Sequence, residues 1–127
     1  MLFRSRCISP YDHGLRRLPA YLQQLVMESN GKSVDAWGQP VKVPTSEVVW
    51  GEAGTNGQHA FFQMIHQGTD VTPVEFILVK RPCEPMMAAA DLALRAHWQA
   101  QHQALLANGL AQAKALMLGK AFEIFRA

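Results

Sequence analysis

The side chains in this sequence best suited to moving a proton are Glu28 and His59. Glu28 reads as part of the last turn of a helix that stops at Asn30-Gly31. Unpaired carbonyls and the negative end of the helix dipole penalise a carboxylate there. A raised pKa is expected, which suits a general base. Gln24 lies one turn earlier on the same face, able to hold the same ligand. His59 is expected in the first turn of the next helix, where the positive end of the dipole favours a neutral ring that can accept a proton. It follows a turn in which Gly51, Gly54 and Gly57 would let the backbone approach a ligand closely. That turn matches neither the dinucleotide fingerprint nor the P-loop. On position alone each feature also has a plainer reading: a hydrogen-bonded structural histidine, a solvated surface glutamate and a tight turn. His59 and His66 are seven apart and His97 and His102 five apart, with no acid completing a zinc set, so no metal site is expected.

The elements that must position these groups follow from spacing and punctuation. Leu15, Leu18, Leu22 and Leu25 form a helical stripe, with Asp12 as its N-cap and Pro19 marking a kink or the effective start. Gly38, Pro40 and Pro44 make residues 33–46 a loop. Glu47 to Trp50 reads as a short buried parallel strand. Thr55 and Gln58 read as a capping box, opening a helix that carries Phe61, Met64 and Ile65 on one face and closes at Gly68. Val74 to Val79 reads as a second strand, giving a strand–helix–strand unit over 47–79 with a right-handed crossover. Pro82 and Pro85 suggest a linker, and Met86 to Ala96 a further helix. From about His97 a stripe of Leu106, Leu110, Ala113 and Met117 runs to a stop at Gly119. The fold class is α/β, part of a parallel-sheet αβα sandwich. Two strands are too few for such a sheet, so the pattern asks for more strands than it displays. In open parallel sheets ligands bind beyond the carboxyl ends of the strands, which puts the turn at 51–58 on the functional edge.

Composition narrows the partners. The chain of 127 residues is 49% hydrophobic and 17% charged, and a charged share of roughly 25% is usual for a soluble domain. Much of the surface is therefore uncharged and polar, or is buried against something else. The formal charge of +2 is scattered, and Arg16-Arg17 and Lys80-Arg81 are pairs rather than patches. Binding to nucleic acid or to a membrane surface is not expected. Cys7 and Cys83 read as reduced thiols. The first ten residues, MLFRSRCISP, lack the uninterrupted apolar stretch of a signal peptide, and no apolar run approaches the ~18 residues of a membrane span. The expected setting is cytoplasmic.

Longer motifs say more. YDHGLRRLPAYLQQLVMESNGK, followed by VVWGEAGTNGQHAFFQMIHQGTD, resembles the glucose-6-phosphate isomerase family, also called phosphoglucose isomerase. TPVEFI, HQALLAN and AQAKALMLGK agree with it in order. The resemblance runs from about residue 10 to residue 120 and implies part of the second sugar-isomerase domain. Residues 1–9 and 121–127 flank it without a clear match, and 81–100 match poorly.

The resemblance implies that Glu28 moves a proton between C1 and C2 of the sugar, that His59 helps open the pyranose ring, and that Gln24 contacts the sugar phosphate. The implied chemistry is reversible conversion of glucose 6-phosphate to fructose 6-phosphate through a cis-enediol, with neither metal nor organic cofactor. It also implies a homodimer in which His59 reaches the neighbouring subunit's site. Ala53 stands where the family usually has proline, which loosens the turn slightly. The family's upstream Ser/Thr-rich phosphate loop, its GGR[FY]S segment and its QxGVExxK lysine are absent from these residues. The 127 residues alone are therefore expected to be inactive and prone to associate. The alternative is a non-catalytic sugar-phosphate-binding module.

Overall fold

The structure, a computed structural model, describes residues 4–81 and 91–119. Three parallel strands form one sheet in the order β2-β1-β3: β1 is Ser5–Tyr11, β2 Val48–Gly51 and β3 Val74–Leu78. The central strand β1 comes from the segment expected to flank the domain. The two strands read from the sequence, over 47–50 and 74–79, are present as β2 and β3, but they are not neighbours, because β1 lies between them. Pro10 disguised β1, since proline cannot donate to a ladder. Here it costs no hydrogen bond. The β1–β2 pairing ends at Ile8↔Gly51, while the β1–β3 pairing continues to Tyr11↔Leu78. Arg4 bonds towards β2 and Cys7 towards β3, so by alternation the missing N–H of Pro10 faces the β2 side, past that strand's end.

Alternation divides the sheet into two faces. On one, Ile8, Pro10 and Val49 are buried beneath helix α1 (Leu18–Gln23), whose Pro19 is also buried. On the other, Cys7 and Tyr11 lie beneath α2 (Gly54–Ala60), α3 (Phe62–Gln67) and α4 (Leu92–Leu118). The result is an αβα arrangement. At the amino end of the sheet, Arg6 on β1 donates to Glu75 at 2.7 Å and pairs with Glu47 at 2.8 Å, tying the central strand to carboxylates on both sides.

The helices differ from the expected pattern in several places. Asp12 does cap, but it caps a 3-10 turn at His13–Leu15, and α1 starts afresh at Leu18 with Pro19 in its first turn. The helix expected over 55–67 is broken at Phe61 (φ −148°, ψ −2°), which divides it into α2 and α3. The break turns Phe62 rather than Met64 inwards. Phe62 is 3% exposed and meets Phe76 edge-on at 6.2 Å, while Phe61 sits edge-on to Trp50 at 4.8 Å. In α4 the buried or half-buried positions include Trp98, His102, Leu105, Leu106, Gly109, Gln112, Ala113 and Leu116, which follow a helical repeat. Leu106 and Ala113 belong to it, whereas Leu110 and Met117 face outwards. Asp91 caps α4 and Gly119 ends it with φ 68°. The expected linker at 82–85 and the start of the helix expected over 86–96 lie outside the described residues.

Burial has a consequence at Cys7, whose thiol desolvation pushes up to about 12 from an ordinary 9.0. Tyr11 is also raised, by desolvation first, against a lowering hydrogen bond from Gln58. The folded chain holds the Cys7 proton where the unfolded chain has released it. Stability from this site is complete below about pH 9 and falls as pH rises towards 12. Between about pH 8 and pH 10 the denaturation midpoint should therefore fall more steeply in the native protein than in Cys7→Ala. Equal slopes would contradict this account.

Candidate functional site

The carboxyl edge of the sheet does not gather the residues picked out by chemistry. A hollow of about 250 Å³ lies there, lined by Asp12, His13, Arg16, Ala53, Thr55 and Asn56 among others. Neither Glu28 nor His59 lines it. The glycines of the 51–58 turn face protein rather than open space. A Cβ on Gly51 would fall 1.9 Å from the Ile8 carbonyl oxygen, and one on Gly54 2.4 Å from the Tyr11 ring. Gly57 lies under Phe61 in the same way. They permit close packing of the turn against β1 and the aromatic cluster, which fits the plainer reading of a tight turn.

The expected capping box is also absent. Ala53 is the N-cap of α2, and no side chain caps it. The Gln58 amide instead donates to the Tyr11 hydroxyl at 2.8 Å, fastening α2 to the central strand. Because α2 starts at Gly54 and ends at Ala60, His59 is in its last turn rather than its first. The dipole argument for a neutral ring at this position therefore fails. His59 is exposed and lines a hollow of about 450 Å³ with Phe61, Gln63, Met64 and Gln67.

Ala53 itself has φ −53° and ψ 137°, values that proline adopts without strain. Its amide donates to Glu52 Oε1 at 2.9 Å, an exposed local bond. Ala53→Pro should raise stability by about 0.4–1 kcal/mol by restricting the unfolded chain, less whatever that bond contributes. Thermal denaturation checks it, and a lowered midpoint would show that the amide matters more than the ring.

Glu28 stands where expected in its helix, but the helix is different in kind. After Gln23 the backbone widens into a π turn, Gln24–Glu28, before Ser29 and Asn30 complete the element. A π turn holds more residues than an α turn, so positions four apart come closer to vertical register. Gln24 and Glu28 accordingly line one open hollow of about 320 Å³, with Tyr21, Leu25 and Ser29 completing its wall. Both side chains are exposed, and among the described residues neither makes a hydrogen bond or an ion pair. The structure thus brings Gln24 and Glu28 together and leaves His59 apart. The run Gln24-Leu25-Val26-Met27-Glu28 carries no propensity signal for a π turn, so this feature was not legible in advance. Tyr21 and Ser29 carry no sequence signal for this wall, and Leu25, a member of the helical stripe, is exposed beside the hollow.

Of the other histidines, His66 and His102 join separate segments. His66 bonds Gln112 between α3 and α4 at 3.1 Å, and His97 bonds Gln101 within α4 at 2.9 Å. His102 is buried beside the Lys80 carbonyl. Among the described residues, no helix is long and apolar enough to cross a membrane.

Comparison with known proteins gives these segments a context. The phosphoglucose isomerase family description matches residues 2–127, so the match includes β1. A glucose-6-phosphate isomerase of Leptothrix cholodnii is 64% identical over 118 residues, covering 93% of this chain. One from Brucella ovis is 55% identical over 125 residues, covering 98%. A crystal structure of a glucose-6-phosphate isomerase from Chlamydia trachomatis superposes on 89% of this chain with a TM-score of 0.64 at 40% identity. The chain spans about 21% of the length of each of these relatives. With the family description matching nearly every residue, the chain belongs to the phosphoglucose isomerase family.

Proposed function

We propose that this chain supplies two functional segments of a glucose-6-phosphate isomerase, from a second sugar-isomerase domain extending over at least residues 10–120. Glu28 acts as the acid–base that carries a proton between C1 and C2, and Gln24 holds the sugar phosphate beside it. His59 assists ring opening in the site of a neighbouring subunit. The observation that carries the reading is the shared hollow of Gln24 and Glu28, two polar side chains on one π turn, unpartnered among the described residues and open to a ligand.

The chemistry follows from elementary constraints. The C2 proton becomes acidic enough to remove only when the sugar is linear and its carbonyl is free. A carboxylate beside both carbons can then take the proton from C2, leave a cis-enediol, and return it to C1. Ring opening needs proton transfer at O5 and O1, a task for an imidazole on the far side of the sugar. The separate hollows of Glu28 and His59 fit a division of labour between two chains. No step in this scheme requires electron transfer.

The test is the full-length protein with glucose 6-phosphate deuterated at C2. Appearance of fructose 6-phosphate, with deuterium partly carried to C1 and partly lost to water, supports the reading. Binding of the sugar phosphate without any C2 exchange would assign a non-catalytic module instead.

A further inference from the structure

We propose that Lys32 is a positioning residue for Glu28, acting through the Glu28 main chain. The inference rests on the proposed role of Glu28 and extends it to a residue that the acid–base reading does not use.

The geometry at the end of the π turn carries it. Were the helix to continue, the backbone N–H of Lys32 would bond the carbonyl of Glu28. It does not. That N–H turns back to the Asn30 carbonyl at 2.7 Å, and the chain leaves the helix there. The Met27 carbonyl is closed by the Gly31 N–H at 2.9 Å, which would leave the Glu28 carbonyl as an orphan acceptor. The Lys32 ammonium fills the vacancy by donating to the Glu28 carbonyl oxygen. The side chain of Lys32 thus replaces its own backbone N–H. A cation at a helix carboxyl end is also favoured by the dipole.

Lys32 is held in turn. Its carbonyl accepts from the Thr45 hydroxyl at 2.9 Å, which links the end of the 33–46 loop to the end of the helix. That loop is ordered by its own bonds: the Asp35 carboxylate accepts from the Trp37 and Gln39 amides, and Val34 bridges Pro40. The path from Thr45 through Lys32 to Glu28 therefore fixes the backbone that carries the carboxylate. A proton-transferring group must stand within hydrogen-bond reach of both carbons, and a displacement near 1 Å can cost on the order of 10²-fold in rate. A frayed last turn allows such a displacement.

The experiment compares Lys32→Met, Lys32→Arg and Thr45→Val in the full-length protein. Lys32→Met should lower kcat roughly 10–100-fold with little change in KM. It should also increase the share of C2 deuterium lost to water, because a wandering carboxylate returns its proton less faithfully. Lys32→Arg, which can still donate to the carbonyl, should recover most of both quantities, and Thr45→Val should shift them in the Lys32→Met direction by less. Lys32 is exposed, so the melting temperature should stay near that of the parent. A kcat within about twofold of the parent, an equal loss in Lys32→Arg, or a loss tracking a lowered melting temperature would overturn the positioning role. Absence of turnover in the unsubstituted protein would overturn it together with the functional reading. Turnover there with an unaffected Lys32→Met overturns the positioning role alone.

Discussion

Glu28→Gln in the full-length protein should lower kcat for the interconversion of glucose 6-phosphate and fructose 6-phosphate by roughly 10²–10⁴-fold, the usual contribution of a general base. The amide keeps the size and shape of the side chain and its place in the hollow with Gln24, but it cannot take a proton from carbon. KM should therefore change little. Exchange of the C2 deuterium should fall in parallel with turnover, because both depend on the same proton transfer. The substitution is well suited to isolating chemistry from folding, since the Glu28 side chain is exposed and unpaired among the described residues. An unchanged melting temperature accompanies the expected loss. Turnover close to normal would remove Glu28 from the mechanism.

The fold was legible where a segment's pattern depends on its own residues, and illegible where it depends on a partner. Val48–Gly51 and Val74–Leu78 announce themselves as strands through β-branched and aromatic residues, and Gly119 ends α4 as expected. The central strand did not, because Ser5–Tyr11 contains Arg6 and Pro10. Arg6 is accommodated only through Glu47 and Glu75 on segments far away in the chain, and Pro10 only because β2 has already ended. The break at Phe61 is of the same kind. Nothing local forbids a continuous helix over 54–67, but the interruption lets Phe61 meet Trp50 while Phe62 enters the core against Phe76.

The candidate site was legible as residues and only half legible as physics. A carboxylate in the last turn of its helix is what the structure has at Glu28, and Gln24 shares its hollow. The π turn that aligns them is a backbone event with no composition signal. At His59 the break at Phe61 reversed the dipole argument, because it ends the helix at Ala60 and leaves His59 in the last turn of a seven-residue helix. What remains for His59 is its exposure and its separate hollow. Its role therefore rests on the family resemblance and on experiment.

The experiment for His59 uses the separation itself. If Glu28 and His59 of one chain serve different sites in a dimer, each single variant damages both sites, because each site takes one residue from each chain. His59→Ala alone should then lower kcat on the cyclic sugar, and Glu28→Gln alone should nearly abolish it. In a mixed dimer the outcome is asymmetric. One site receives both damaged residues, while the other receives the intact Glu28 of one chain and the intact His59 of its partner. With random pairing about half of the dimers are mixed, and each has one whole site, so co-refolded variants should recover about a quarter of parental activity. Mixing without exchange of subunits should give only the mean of the two single variants. If both residues instead came from one chain, a mixed dimer would carry one damaged site of each kind, and co-refolding would not rise above that mean. The doubly substituted chain co-refolded with the parent gives the converse: its mixed dimer has one site damaged at Glu28 and the other at His59 under shared sites, but one wholly intact site under unshared ones. Recovery to about a quarter in the first pairing, together with loss of the intact site in the second, is the result that assigns His59 to the neighbouring subunit.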